Sequence, residues 1–209
     1  MAQNSRTRSK TRLSRALGIA LTPKAAAILE KRPYGPGQHG RTKRRADSDY
    51  AVRLREKQRL RAQYGIREAQ LRIAFAEARR SAGLTGENLV EILETRLDAL
   101  VLRAGFARTT AQARQFVVHR HILVDGKIVD RPSFRVKPGQ LIHVKARSEG
   151  TEQFQVAAAG GHAEVLPKTP GYLEVELDKL QARLVREPKR AEIPVTCEVQ
   201  LVVEYYAAR

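Results

Sequence analysis

One cysteine, Cys197, stands in 209 residues, with a single methionine and no tryptophan. A lone cysteine excludes an internal disulfide framework and a four-cysteine zinc site. Its ordinary role is that of a small buried hydrophobe. Aromatic residues make up only 5% of the chain, too few for a surface that works mainly by stacking unpaired bases. No apolar run approaches the ~20 residues of a transmembrane helix. The apolar segment Ala16–Leu21 is too short and too weak for a signal peptide. These absences predict a cytosolic protein with no membrane partner. Acids are scarce where bases abound: residues 1–45 hold twelve Lys and Arg against one acid, Glu30.

That stretch carries a surplus of eleven positive charges out of a net +17 for the chain. A balance of this kind speaks of partners and not of fold, and a basic protein of this size meets nucleic acid most often. The stretch is also rich in Ser, Thr, Gly and Pro. It is expected to order only against a partner, with a helical turn or two in Ala16–Leu29. The scarcity of aromatics points to recognition of folded RNA by phosphate and shape.

Helical periodicity follows. Asp47 or Ser48 caps a helix to about Gln63, ended by Gly65, with Tyr50, Leu54 and Tyr64 inward. A second helix spans about Arg67 to Ala82 on the stripe Leu71, Phe75, Ala78, Ala82. Thr85 caps a third, and Arg96–Ala104 forms a fourth, closed by Gly105. Thr109-x-x-Gln112 reads as a capping box for a short basic helix. In that helix Ala113, Phe116 and Val117 face inward. Arg108, Gln115 and Arg120 are left to solvent or a polyanion, and Arg114 lies at the boundary. Asp125-Gly126 between Ile122-Leu-Val124 and Lys127-Ile-Val129 is a strong hairpin signal. Pro138-Gly139 turns the chain back into a strand over Gln140–Lys145. Residues 149–171 read as loop, Tyr172–Glu176 as strand, and Val195–Tyr206 fits either a strand or a helix begun by Pro194.

Three motifs invite sharper readings. Gly35-Pro-Gly-Gln-His-Gly40 matches a dinucleotide fingerprint, but a basic run replaces the helix the motif needs. A glycine turn approaching nucleic-acid phosphates, through Gly37, Gln38 and His39, fits better. Arg96-Leu-Asp98 is the tripeptide of one pseudouridine synthase class, with the Asp catalytic. The competing reading, a helix-surface ion pair, is favoured. His119-x-His121 lacks a third metal ligand at suitable spacing, so contact with solvent or RNA is expected. No nucleophile, base and orienting group assemble by spacing.

Several segments together resemble the bacterial small-subunit ribosomal protein S-four family. They are Pro36-Gly-Gln-His-Gly40, Ser48-Asp-Tyr50, Leu54-Arg-Glu-Lys-Gln58, Thr85-Gly-Glu-Asn-Leu89, Leu93-Glu-x-Arg-Leu-Asp98, Ala113-Arg-Gln115, Pro132-Ser133 and Val203-Glu-Tyr-Tyr206. The resemblance implies an α+β fold in three parts. A basic arm (1–45) is ordered on RNA. A helical domain (46–95) is completed by 165–209. An inserted α/β RNA-binding module (96–160) combines short helices with an antiparallel hairpin sheet. It implies a structural ribosomal constituent, not an enzyme, that binds small-subunit rRNA and nucleates assembly of its 5′ domain. It also implies contact with small-subunit protein five, a contribution to decoding accuracy and a place at the mRNA entry channel. The rRNA-binding set comprises Arg6, Arg8, Lys10, Arg12 and Arg15 of the arm, with Gly37, Gln38 and His39. To these it adds Arg53, Arg55 and Lys57, and in the module Arg108, Arg114, Gln115, His119 and Lys127. Arg41, Lys43 and Arg44 are assigned to the mRNA channel. Many relatives hold zinc on arm cysteines. This arm has none, so no metal or other cofactor is expected. An RNA-modifying enzyme and a free RNA chaperone are the rival readings.

Overall fold

The computed structural model describes residues 9–42 and 47–208. These form ten α-helices and one five-stranded sheet, an α+β architecture. The chain divides into two compact units: residues up to Ile73 together with Val195 onward, and Ala74–Pro194. No helix among the described residues is long and apolar enough to cross a membrane.

The first unit is helical. It begins with α1 (Lys10–Leu17) and α2 (Pro23–Lys31), followed by a 3-10 turn over Gln38–Arg41. Thr22 caps α2, its hydroxyl accepting from the Ala25 N–H, with Pro23 at the first helical position. The arm therefore has more structure of its own than its composition predicts. Leu17, Ile19 and Ala25 are buried, and Arg59 Nε donates to the Leu17 carbonyl at 2.8 Å, tying the end of α1 to α3 (Asp49–Gln63).

Ser48 caps α3, and Gly65, at a φ of 62°, lies beyond its end. The buried side of α3 differs from the expected one. Leu60 and Tyr64 are buried, Tyr50 is exposed, and Glu56 and Lys57 take the inward positions. Charged residues run all round this helix, so its own pattern does not mark an inner face. The face is set by α10 (Val199–Ala207), which packs against it. The ambiguous last segment is therefore extended and then helical. Gln63 clamps Thr196 from both sides, its Nε2 donating to the Thr196 carbonyl and its Oε1 accepting the Thr196 N–H, each at 3.0 Å. Glu56 Oε2 accepts the Glu198 N–H at 3.0 Å. These α3 side chains hold the stretch after Pro194 open until the helix starts at Val199.

The boundary between the units falls within α4 (Glu68–Arg80), where Leu71, Ala74 and Ala78 are buried. In the second unit α5 (Thr85–Glu94) begins one residue earlier than a Thr85 cap requires. Leu84 is the cap residue, and Asn88 Nδ2 closes the preceding turn on the Ala82 carbonyl at 3.0 Å. There follow α6 (Leu97–Arg103), α7 (Thr110–Val118), β1 (Ile122–Val124), β2 (Lys127–Ile128) and β3 (Leu141–Val144). Asp125 and Gly126 both have positive φ, 48° and 76°, as a type I′ hairpin requires.

Residues 149–171 are not simply loop. A helical turn α8 (Ala146–Glu149) leads into α9 (Glu152–Ala158). Phe154 and Ala157 face the core, too short a stripe to show as periodicity, and Phe154 stacks on Phe116 at 4.5 Å. Beyond β4 (Leu173–Glu176) lies a strand the pattern does not reveal, β5 (Gln181–Leu184). Its turn contains no glycine; Leu180 takes the left-handed conformation at 49°.

The sheet runs β2-β1-β3-β5-β4, antiparallel throughout. The pairing of β5 with β3 puts residues 173–184 in the same sheet as the hairpin. The stretch after 165 was expected to complete the helical domain. Up to Pro194 it belongs instead to the second unit.

Candidate nucleic-acid interface

In the first unit the basic residues fall into distinct environments. Arg12 is exposed and Lys10 half-buried on α1. Arg15 is used internally: Nε donates to the Tyr34 carbonyl at 3.1 Å and Nη2 to the Gly35 carbonyl at 2.9 Å. Arg41 donates to the Tyr34 hydroxyl at 3.0 Å, and both guanidiniums lie within 5 Å of the Tyr34 ring, at 4.9 and 4.8 Å. The Arg41 hydrogen bond holds the Tyr34 hydroxyl below the usual tyrosine range. This pinned turn presents Gln38 and His39, both exposed, with Gly37 at a φ of 97°.

Helix α2 precedes the glycines and a 3-10 turn over Gln38–Arg41 takes in the last of them, so the strand–turn–helix of a dinucleotide site is missing among the described residues. Gly40 is the critical glycine. A Cβ there would lie 2.0 Å from the Gly35 carbonyl oxygen. Gly40→Ala is therefore expected to open the turn and cost about 1–3 kcal/mol by overpacking. Urea unfolding of the full chain would check this, and an unchanged midpoint would refute it. Arg6, Arg8, Lys43 and Arg44 lie outside the described residues.

On α3 the expected RNA-facing trio is engaged within the unit. Arg53 pairs with Glu204 at 2.9 Å, and Arg55 pairs with Asp47. Lys57 is a correction: it is 4% exposed, bonded to Glu68 at 3.0 Å and seated 4.2 Å over the Tyr205 ring. Burial of its ammonium is compensated by the carboxylate and the ring face. The Tyr206 hydroxyl donates to the same Glu68 oxygen at 2.9 Å. Lys57 and Tyr206 hold the Glu68 carboxyl below its ordinary value, against the opposing effect of its partial burial.

In the second unit the basic helix is rigidly mounted. Thr109 Oγ1 accepts the Gln112 N–H at 3.2 Å, and Gln112 Oε1 accepts the Arg108 N–H at 2.8 Å. The second bond reaches one residue further back than the standard box. Ala113, Phe116 and Val117 are buried, while Arg108, Gln115 and His119 are exposed. Gln115 and His119, four apart, share one face. Lys127 is exposed on β2. Arg120 is exposed at the end of α7 and pairs with Asp130 at 3.1 Å.

Arg96 and Asp98 were expected as a surface pair, and they are buried. Arg96 is 6% exposed and Asp98 2%. Arg96 grips both carboxylate oxygens, at 2.9 and 2.7 Å, and Arg114 reaches the same carboxylate at 3.5 Å. Burial pushes the Asp98 carboxyl upward, and Arg96, Arg114 and the Ala99 N–H oppose it. The adjacent backbone is latched as well: the Leu97 and Asp98 N–H groups donate to the Phe134 and Pro132 carbonyls, and the Val136 N–H to Thr95. The tripeptide thus fastens the 131–136 segment to α6 and steadies Arg114. A carboxylate so enclosed cannot meet a substrate base.

His121 Nδ1 is taken by Ser148 Oγ at 2.9 Å, and its ring lies against Phe154. Burial holds its pKa below the ordinary histidine value, with His119 and Lys145 adding repulsion. Among the described residues no three His, Cys, Asp or Glu side chains converge as metal ligands.

Residues 5–94 match the family model "Ribosomal protein S4/S9 N-terminal domain", and residues 95–142 match the "S4 domain". The chain is 86% identical over 209 residues, the whole of both chains, to the small ribosomal subunit protein uS4 of Clavibacter michiganensis subsp. michiganensis. It is 86% identical over 206 residues to that of Leifsonia xyli subsp. xyli, covering 99% of this chain and all of the relative. It is 75% identical over 207 residues to that of Arthrobacter sp. (strain FB24), again over 99% and 100%. An alignment that runs end to end at this identity, on a mounted basic helix beside a hairpin sheet, leaves one assignment: the chain belongs to the small ribosomal subunit protein uS4 family.

Proposed function

We propose that this protein binds the folded 5′ domain of small-subunit rRNA early and nucleates its assembly. It is a structural protein of the small ribosomal subunit and not an enzyme, and it acts in the cytoplasm as part of that subunit. The observation that carries the finer reading is the α7 mount: Arg108, Gln115 and His119 are exposed on and beside a helix whose inner face is buried and whose start is capped through Thr109 and Gln112. Preorganised donors of this kind bind an RNA fold without first being ordered. With them act Arg114 at the edge and Lys127 on the hairpin. The arm supplies Arg6, Arg8, Lys10 and Arg12 for phosphates, and the pinned turn offers Gln38 and His39. Arg41, Lys43 and Arg44 are assigned to mRNA at its entry. Contact with small-subunit protein five and an influence on decoding accuracy complete the reading. Lys57 is withdrawn from the RNA set because its ammonium is buried.

The test is binding of the full chain to the isolated 5′ domain of small-subunit rRNA, against an unrelated RNA of equal length, over a salt series. A preference for the 5′ domain that survives moderate salt is expected. Equal binding that disappears with salt would mean a free RNA chaperone working by charge alone.

A further inference from the structure

Helix α7 ends in a Schellman motif. The Arg120 N–H donates to the Val117 carbonyl and the His121 N–H to the Phe116 carbonyl, each at 3.0 Å. The residue at the left-handed position of such a motif is ordinarily glycine, because a Cβ crowds the following carbonyl there. Here it is Arg120, at a φ of 64°. Its side chain is 67% exposed, and its ion-pair partner Asp130 is 45% exposed. An exposed pair of this kind adds little to folding, and the favourable position of a cation at a helix C-terminus is weakened by solvent. Locally, glycine is the better residue, so the Arg120 guanidinium contributes something folding does not require.

Its neighbours indicate what that is. Gln115, on the last turn of the same helix, and His119, its cap residue, are both exposed, and Lys127 stands exposed on the hairpin. We infer that Arg120 is an RNA phosphate contact at the end of α7, held ready by Asp130 and released from it when a phosphate takes the carboxylate's place. A backbone phosphate offers the guanidinium the same bidentate geometry and the same single negative charge as a carboxylate, and a folded RNA sums many such charges. This inference rests on the rRNA-binding reading above and adds a residue to it.

Three full-length variants test it, Arg120→Gly, Arg120→Gln and Asp130→Asn, each titrated with the isolated 5′ domain of small-subunit rRNA over a salt series and melted without RNA. Arg120→Gly is expected to melt at a higher temperature than wild type. It should bind about three- to tenfold more weakly, with a salt slope lower by about one. Arg120→Gln keeps the backbone strain and should bind equally weakly, which separates charge from conformation. Asp130→Asn should bind no more weakly than wild type. Unchanged affinity and slope in Arg120→Gly, or weaker binding by Asp130→Asn, would overturn the inference. Failure of the wild-type chain to prefer the 5′ domain over unrelated RNA would instead overturn the reading on which it rests.

Discussion

Replacing Asp98 by alanine is expected to cost the sheet-bearing unit about 3–5 kcal/mol and to lower its melting temperature by roughly 10–20 °C. The Asp98 carboxylate is 2% exposed and neutralises Arg96, itself 6% exposed, through two hydrogen bonds. Alanine leaves that guanidinium buried without a counter-charge, the costly case for a buried ion pair. It also frees Arg114 from its 3.5 Å contact, so the exposed face of α7 should loosen and RNA binding weaken in parallel. The double variant Arg96→Met, Asp98→Leu separates charge from packing. With both partners apolar no charge is stranded, and most of the lost stability should return. Calorimetry of the three proteins decides the matter. An Asp98→Ala protein that melts like wild type would mean that the carboxylate has no structural part.

Neutralising Arg6 and Arg8 to glutamine should lower the salt slope of rRNA binding by about two, and affinity near 0.1 M salt by roughly one to two orders of magnitude. Each cation that meets a phosphate releases close to one condensed counterion, and the slope counts those releases. Both positions lie outside the described residues, so the substitutions remove none of the described contacts. Filter binding from about 50 to 200 mM salt reads both quantities. Lys57→Met supplies the contrast. Its ammonium is already held by Glu68 and Tyr205, so it should change stability and leave the slope alone. A slope that is unchanged when Arg6 and Arg8 are neutralised, or that falls in Lys57→Met, would mean that the phosphate contacts lie elsewhere.

The parts of the site written in local signals were legible. The Thr109 cap, the Ala113, Phe116 and Val117 stripe and the Asp125-Gly126 turn each depend on residues within a few positions of one another, and α7 and its hairpin follow from them. The exposure of Arg108, Gln115 and Arg120 follows by subtraction, since the inward positions were already taken. What was not legible depended on residues far apart in the chain. Lys57 looked like one more basic residue on an evenly charged helix. It is buried because Tyr205, almost 150 positions later, comes to lie beneath it on α10. The Arg96-Leu-Asp98 tripeptide looked like a surface pair for the same reason: the 131–136 backbone that covers it is about 35 residues away. Strand β5 gave no sign because Leu180, and not glycine or asparagine, makes its turn.

Composition and motif order alone were enough for the polyanionic partner, the α+β class and the family, because net charge, periodicity and turn chemistry are properties of short stretches and their sum. Which charges remain available to that partner was a matter of packing. Of the cations expected on RNA, Arg15, Arg53, Arg55 and Lys57 are bound within the helical unit, while Arg12, Arg108 and Lys127 are exposed. A positive charge reads the same in a sequence wherever it lies. Only the folded chain brings a carboxylate, a carbonyl or a ring face to some of these cations and leaves others to solvent.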